Sequence, residues 1–135
     1  MIKLVDLLKE NYSFSRPNID KDEEGIISVE YTFSTKNNKY RVVFNGMEEP
    51  RVFEVEFGVD KGELYALDTL QMTGEGNALK IFNTITEIIN SFLQTFPNDY
   101  DKVVITGTTD KRRNVYRKFF PSKINPKYSD KVIIK

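Results

Sequence analysis

The chain has 135 residues, 39% of them hydrophobic and 30% charged, and this length and balance favour a single folded domain over residues 1–135. It contains neither cysteine nor histidine, which excludes disulfides, thiolate or Ser-His catalysis and most zinc sites, and we predict no metal site. No apolar run approaches the ~20 residues that a membrane-spanning helix needs, and the N-terminus is too charged for a signal peptide. We therefore expect a soluble protein that is neither secreted nor bound to a membrane.

The net charge of zero is the sum of an acidic part and a basic part of the chain. Residues 1–110 contain 11 basic and 19 acidic side chains, whereas residues 111–135 contain nine basic and one acidic. A chain divided in this way has either an anion-binding end or an acidic and a basic face that meet different neighbours.

The first 25 residues are predicted to form a short helix and a polar connector. Leu4, Leu7 and Leu8 recur at helical spacing within residues 3–11, which indicates an amphipathic helix. Residues 15–25 are polar and acidic, and their carboxylates lack the spacing of a calcium-binding loop, so a solvated connector is expected.

Four strands are predicted next, because apolar and polar residues alternate with a period of two. Asn37 and Asn38 are expected to turn the chain between the first two strands, since Asn tolerates positive φ. Short links between consecutive strands favour an antiparallel meander with one solvated face. The predicted strands are residues 27–33, 40–44, 53–57 and 64–71.

The second half of the chain begins with a change to helical spacing, which predicts a long helix over residues 77–96. Its inward stripe is expected to be Leu79, Phe82, Ile85, Ile89 and Phe92. The elements that follow are a strand at 102–106, a helix at 111–119 capped by Thr109 or Asp110, and a strand at 131–135. The predicted class is therefore α+β, with a mostly antiparallel mixed sheet of about six strands, one long helix and two short ones.

The segment from Gln71 to Ala78 is the most informative for function, because two glycines lie where a strand is predicted to lead into a helix. Gly74 and Gly76 let the backbone approach a ligand, and a helix N-terminus favours an anion such as pyrophosphate. Glu63 and Asp68 are the nearby carboxylates, and either could act as a general base if burial raised its pKa. The alternative is that the glycines only form a tight turn.

Gln71, Gly74 and Gly76 match the Gln/Arg-x-x-Gly-x-Gly/Ala signature of the GNAT acyltransferases, which the chain resembles over about residues 51–135. The resemblance implies acetyl-CoA as the cofactor, and it implies that Tyr116 protonates the departing CoA thiolate. The residues that would hold the cofactor are Gln71, Gly74, Gly76, Asn77 and Ala78. Tyr116 also has a structural interpretation, as a core residue with its hydroxyl at the rim.

The chain departs from the family pattern at several points. One short helix precedes the predicted meander, where the family has a strand and two helices that build the acceptor pocket. Glu75 places a negative charge within the phosphate loop, and Phe119-Phe120 stands where a Gly-Phe pair is expected. The chain looks more similar to small uncharacterised bacteriophage and bacterial proteins that have a truncated GNAT-like core.

Three functional interpretations remain open. The first is a non-catalytic, phage-encoded protein that binds a phage or host protein without a cofactor, in the host cytoplasm or in a virion. The second is a minimal N-acyltransferase in which acetyl-CoA binds the glycine loop, Asp68 deprotonates an amine and Tyr116 reprotonates CoA. The third is a nucleic-acid-binding protein that uses the basic C-terminal region.

The basic C-terminal region contains four residues of the second predicted helix that could bind an anion or a partner: Arg112, Arg113, Arg117 and Lys118. The structural alternative is a solvated helix face that neutralises carboxylates on the sheet. Those carboxylates are Glu30, Glu54 and Glu56.

Overall fold

A computed structural model describes residues 11–60, 78–107 and 109–135 of the chain. These residues form an α+β domain with a six-stranded mixed sheet, one long helix and one short helix, as the sequence predicts for the class. The predicted helix at 3–11, apart from its last residue, and the predicted strand at 64–71 lie outside the described residues. The strands are β1 Asn18–Asp22, β2 Gly25–Ser34, β3 Lys39–Gly46, β4 Val52–Val59, β5 Lys102–Ile105 and β6 Val132–Ile134, and the helices are α1 Ala78–Thr95 and α2 Asp110–Phe119.

The strand order in the sheet is the order of the strands in the chain, β1 to β6. Strands β1 to β4 pair antiparallel, which confirms the meander, whereas β5 pairs parallel to β4 and β6 parallel to β5. The turn between β2 and β3 is closed by a 2.8 Å hydrogen bond that the Thr35 N–H donates to the Asn38 carbonyl oxygen. The Thr109 hydroxyl accepts the Arg112 N–H and caps α2, as one of the two predicted caps.

Strand β1 corrects the prediction of a solvated connector at 15–25, since residues 18–22 pair with β2 at the edge of the sheet. All five residues of β1 are exposed, so no apolar alternation marks the strand in the sequence. The strand is held by backbone hydrogen bonds to β2, and its register shifts between Asp20 and Lys21. A charged and irregular edge of this kind resists pairing with other chains.

Both helices pack on one face of the sheet and form the core with it. The Phe92 ring on α1 stacks on Phe44 of β3 at a centroid distance of 4.1 Å and meets Phe53 of β4 edge-on at 5.5 Å. Such aromatic pairs stabilise a core beyond the area that they bury. Among the described residues, neither helix combines the length and the apolarity needed to cross a bilayer.

The predicted inward stripe of α1 is confirmed except at its first member. Phe82 and Ile85 are buried, as are Ile89 and Phe92, but Leu79 is 49% exposed. The core contact in the first turn is made by Ala78 instead. Ala78 lies four residues before Phe82, in the phase of the buried stripe, whereas Leu79 lies outside that phase.

Candidate functional site

The residues predicted to bind a cofactor lie almost entirely outside the described part of the chain. Gln71, Gly74, Gly76 and Asn77 belong to this group, and so does the candidate base Asp68. Ala78 is described: it is half-buried, begins α1 and packs against the core.

Tyr116 lies in the aromatic core, with 2% of its surface exposed. Its ring centroid lies 5.6 Å from that of Phe57, 5.6 Å from that of Phe120 and 6.4 Å from that of Phe82. Burial raises the pKa of the Tyr116 hydroxyl, and the positive charge of Arg112 offsets part of that rise. These contacts make the Tyr116 ring part of the core packing.

The four basic candidates on α2 are not equivalent. Arg113 is half-buried, and its Nη1 donates to Asp110 Oδ1 at 2.8 Å while its Nη2 donates to the Gly107 carbonyl oxygen at 3.4 Å. Arg112 is also half-buried, whereas Arg117 and Lys118 are exposed. Arg113 thus fixes the segment between β5 and α2 in place. Of the four candidates, only Arg117 and Lys118 are exposed, and Lys111 of the same helix is exposed as well.

The predicted neutralisation of sheet carboxylates by this helix is wrong. Glu30, Glu54 and Glu56 alternate with core residues and therefore lie on the face of the sheet opposite to both helices. Glu30 instead forms an ion pair with Arg41 on the neighbouring strand β3.

A concave surface lies at the end of the sheet where β4 and β5 begin, and we call it the sheet-end cleft. It has a volume of about 410 Å³ and is lined from three segments: Asp22 and residues 24–27 at the β1–β2 turn, residues 46–48 and 50–53 at the β3–β4 loop, and Asp99. Gly46 lies in its wall. A Cβ atom there would stand 3.1 Å from the Ile27 carbonyl oxygen, so a side chain would crowd the backbone of β2.

The β3–β4 loop is held in place by Arg51, whose backbone has the left-handed φ of 65°. The Arg51 guanidinium donates to Asp101 Oδ1 at 3.0 Å, to the Asn98 carbonyl oxygen at 2.6 Å and, more weakly, to the Tyr100 carbonyl oxygen at 3.4 Å. Its own carbonyl oxygen accepts the Asp101 N–H at 2.7 Å. The loop is thereby fixed to the segment that enters β5, and the cleft is preformed.

Apolar side chains of the cleft are open to solvent. Ile27 and Met47 are each 45% exposed, and together they are half of the four large hydrophobic residues that are exposed in the described part of the chain. The other two, Ile19 and Leu79, do not line the cleft. Large apolar side chains that are exposed in a concave surface are typical of interaction sites.

Four carboxylates line the same cleft: Asp22, Glu24, Glu48 and Asp99. Asp22 is engaged locally, because its Oδ1 accepts the N–H groups of Glu24 and Gly25. Among the described residues, no lysine or arginine lies within ion-pair distance of Glu24, Glu48 or Asp99. No three carboxylates of the described ranges are grouped so that they could hold a metal ion.

A second, smaller cavity of about 280 Å³ lies on the other side of the β3–β4 loop, against the face of the sheet opposite to the helices. Val104 and Ile133 form its apolar floor, and Lys102 and Lys135 stand at its edge. Met47 and Glu48 line both cavities, so the loop separates them.

The sheet-end cleft is not predicted by the sequence. Its residues come from segments that are far apart in the chain and that look like ordinary turns. Two signals are present: Asn45-Gly46 marks a loop in which the apolar Met47 follows, and Ile27 begins a strand beside an acidic turn. Neither signal shows by itself that the two residues line one cleft.

A protein-family model described as a family of unknown function, DUF6934, matches residues 10–134, and the chain belongs to this family. Comparison with curated proteins and with solved structures found no match.

Proposed function

We propose that this member of DUF6934 is a non-catalytic protein-binding protein and that the sheet-end cleft is its binding surface. The observation that carries the proposal is the exposure of Ile27 and Met47 in a preformed cleft surrounded by carboxylates. Apolar centres with a polar rim are typical of protein interfaces. A partner that contacts the cleft can exclude water from it without any change in the fold.

The size of the cleft suits a peptide segment or a protruding loop. A volume of about 410 Å³ falls within the usual ~300–1,000 Å³ of ligand sites. The clamp made by Arg51 lowers the conformational cost of binding, because the β3–β4 loop does not have to be ordered by the partner.

A selection of peptides from a random display library tests this proposal. Peptides that bind the unmodified protein should bind Ile27→Ser and Met47→Ser about tenfold more weakly or worse, which corresponds to about 1.4 kcal/mol. Leu79→Ser is the matched control, because it removes an equally exposed hydrophobic side chain outside the cleft. Selected peptides that bind all three variants as tightly as the unmodified protein would refute the cleft as the binding surface.

A second candidate is the N-acyltransferase implied by the GNAT resemblance. It is favoured by the parallel pairing of β4 and β5, since ligands of such sheets bind beyond the carboxyl ends of parallel strands. Helix α2 begins just beyond β5, and its N-terminus is suited to an anion. The buried position of Tyr116 speaks against this candidate.

Calorimetry with acetyl-CoA separates the two candidates. We expect no binding tighter than about millimolar, or roughly −4 kcal/mol, because Glu75 is a carboxylate in the loop that resembles a phosphate site. Glu75→Arg should improve any weak binding. Micromolar binding that is lost in Gly76→Val would favour the acyltransferase over the binding protein.

A further inference from the structure

We infer that the segment bound in the sheet-end cleft carries a basic side chain next to an apolar one. This inference rests on the proposed function and names the chemistry of the partner. The cavity and its exposed apolar walls define the site, and the charges around it decide between possible occupants.

The charge of the cleft is negative. Asp22, Glu24, Glu48 and Asp99 line it, and the one cationic side chain among the described lining residues is Arg51. The guanidinium of Arg51 is bonded to Asp101, so its charge is offset outside the set of lining carboxylates. The cleft therefore presents a negative potential to solvent, which concave walls strengthen.

Two lysines of the described residues that adjoin lining residues, Lys21 in sequence and Lys102 in strand register, do not neutralise this charge. Lys21 precedes Asp22 in β1, and Lys102 is the register partner of Val52. In the described structure, neither lysine makes an ion pair with a carboxylate of the cleft, and Lys102 lines the other cavity. The carboxylates are thus left for a cation from another molecule.

A single basic side chain fits both properties of the cleft. Lysine and arginine have apolar stems and a charged end, so the stem can lie along Met47 or Ile27 while the end reaches a carboxylate. Arginine suits such a site particularly well, because its planar group can bond a carboxylate through two N–H donors. A neighbouring apolar residue of the partner would then cover the remaining exposed surface.

A segment of another protein fits these observations better than the other cationic occupants. A free polyamine would neutralise the carboxylates but leave Ile27 and Met47 exposed. A second copy of this chain could offer its basic C-terminal region, but Phe119 beside Lys118 packs against the chain's own core and is not free to insert. We therefore commit to a basic-apolar segment of a different protein.

The test uses the full chain and short labelled peptides, with binding measured by fluorescence anisotropy. A peptide with the core Lys-Leu-Arg-Ile-Lys is compared with two matched peptides: one in which Glu replaces each basic residue, and one in which Ser replaces each apolar residue. We expect the first peptide to bind about tenfold more tightly than either of the others. Its affinity should also fall when salt is raised above about 0.1 M, where the Debye length is ~10 Å.

Charge reversal in the protein provides the second arm of the test. Glu48→Lys should weaken binding of the basic-apolar peptide about fivefold or more, because it removes one attraction and adds one repulsion. Glu87→Lys makes the same substitution at an exposed position of α1 outside the cleft and should leave binding nearly unchanged.

The outcomes distinguish this inference from the proposed function. If the Glu-containing peptide, or an uncharged apolar one, binds as tightly as the basic-apolar peptide and is lost in Met47→Ser, the inference is overturned while the proposed function stands. If the basic-apolar peptide binds Met47→Ser, Glu48→Lys and Glu87→Lys alike, both are overturned. Full displacement by spermidine at equal concentration, or a dimer in sedimentation that Glu48→Lys abolishes, would overturn the choice of occupant.

Discussion

Large hydrophobic side chains gather in two regions of this molecule, and their surroundings differ. Between the helices and the sheet, aromatic rings pack on one another, and Phe44 and Phe92 stack with almost no exposed surface. In the sheet-end cleft, Ile27 and Met47 have no such cover, and four carboxylates line the same cleft. The first region stabilises the fold, while the second retains apolar surface that a partner can bury.

From the sequence alone, the region around Tyr116 is favoured as a functional site, because its side chains are chemically reactive. Tyr116 and the basic residues of α2 are the more reactive groups, yet Tyr116 is enclosed by phenylalanine rings. The described residues that line the cleft include no hydroxyl or amine nucleophile, but they offer shape, apolar surface and charge. Exposure, rather than reactivity, is what separates a candidate site from a core in this domain.

The largest expected effect comes from truncating an aromatic ring in the core between the helices and the sheet. Phe82→Ala should lower the free energy of unfolding by about 3–5 kcal/mol, because it leaves a cavity among the rings of Tyr116, Phe119 and Phe120. Leu79→Ala is the control, since the Leu79 side chain is largely open to solvent, and it should cost under ~1 kcal/mol. Chemical denaturation measures both changes. If the two variants lost the same free energy of unfolding, Phe82 would not be buried and Leu79 exposed as described.

The next largest effect is expected at Arg51, in the wall of the sheet-end cleft. Arg51→Ala should lower the free energy of unfolding by about 1–2 kcal/mol, since the exposed bonds to Asp101 and Asn98 are lost and the left-handed backbone keeps its cost. Arg51→Gly loses the same bonds but relieves the backbone, so it should be about 1 kcal/mol more stable than Arg51→Ala. Chemical denaturation of the two variants side by side measures the backbone contribution alone, and identical midpoints would count against it.

Tyr100 lies between the two regions, and its raised pKa predicts that the free energy of unfolding depends on alkaline pH. Burial, with smaller contributions from Tyr128 and Asp130, raises the pKa of Tyr100 from 10.0 to about 12. Because the unfolded chain ionises first, the stability from this group is complete below pH 10 and is lost as the pH rises towards about 12. Tyr100→Phe should therefore give a shallower fall of unfolding free energy over that range.

The same variant also removes the hydrogen bond that the Tyr100 hydroxyl donates to the Leu93 carbonyl oxygen at 2.9 Å. Near neutral pH, Tyr100→Phe should cost about 1 kcal/mol for that bond. If the unfolding free energy of Tyr100→Phe fell with alkaline pH as steeply as that of the unmodified protein, the pH dependence would be assigned to Tyr31 and Tyr116. The pKa values of these two groups are also raised by burial.

The smallest effect is expected at Tyr116. Among the described residues no hydrogen bond joins its hydroxyl, so Tyr116→Phe should change the free energy of unfolding by less than ~0.5 kcal/mol. Peptide binding in the cleft should be unaffected as well. If the protein had an acetyl-CoA-dependent activity and this variant abolished it without loss of stability, the functional site would lie near Tyr116 instead of in the cleft.

The fold is largely predictable from sequence because its main elements have strong periodic patterns. The long helix is predicted at 77–96 and is observed at Ala78–Thr95, since its apolar residues return every three or four positions. Strand β1 is not predictable in this way, because all its side chains face solvent. The cleft is not predictable because Ile27, Met47 and Asp99 come to line one cavity only after the sheet and the segment before β5 are assembled.

The order of the strands has a consequence for how the chain folds. The antiparallel strands β1 to β4 are joined by short turns, so their pairing closes only small loops and carries a low entropic cost. Pairing of β5 with β4 must instead close residues 60–101, which makes it the slower event. Because Asp99 and the partners of Arg51 arrive with that second event, the cleft becomes complete only when the parallel half docks. If the cleft is the binding surface, as we propose, a chain arrested at the meander would lack a finished site.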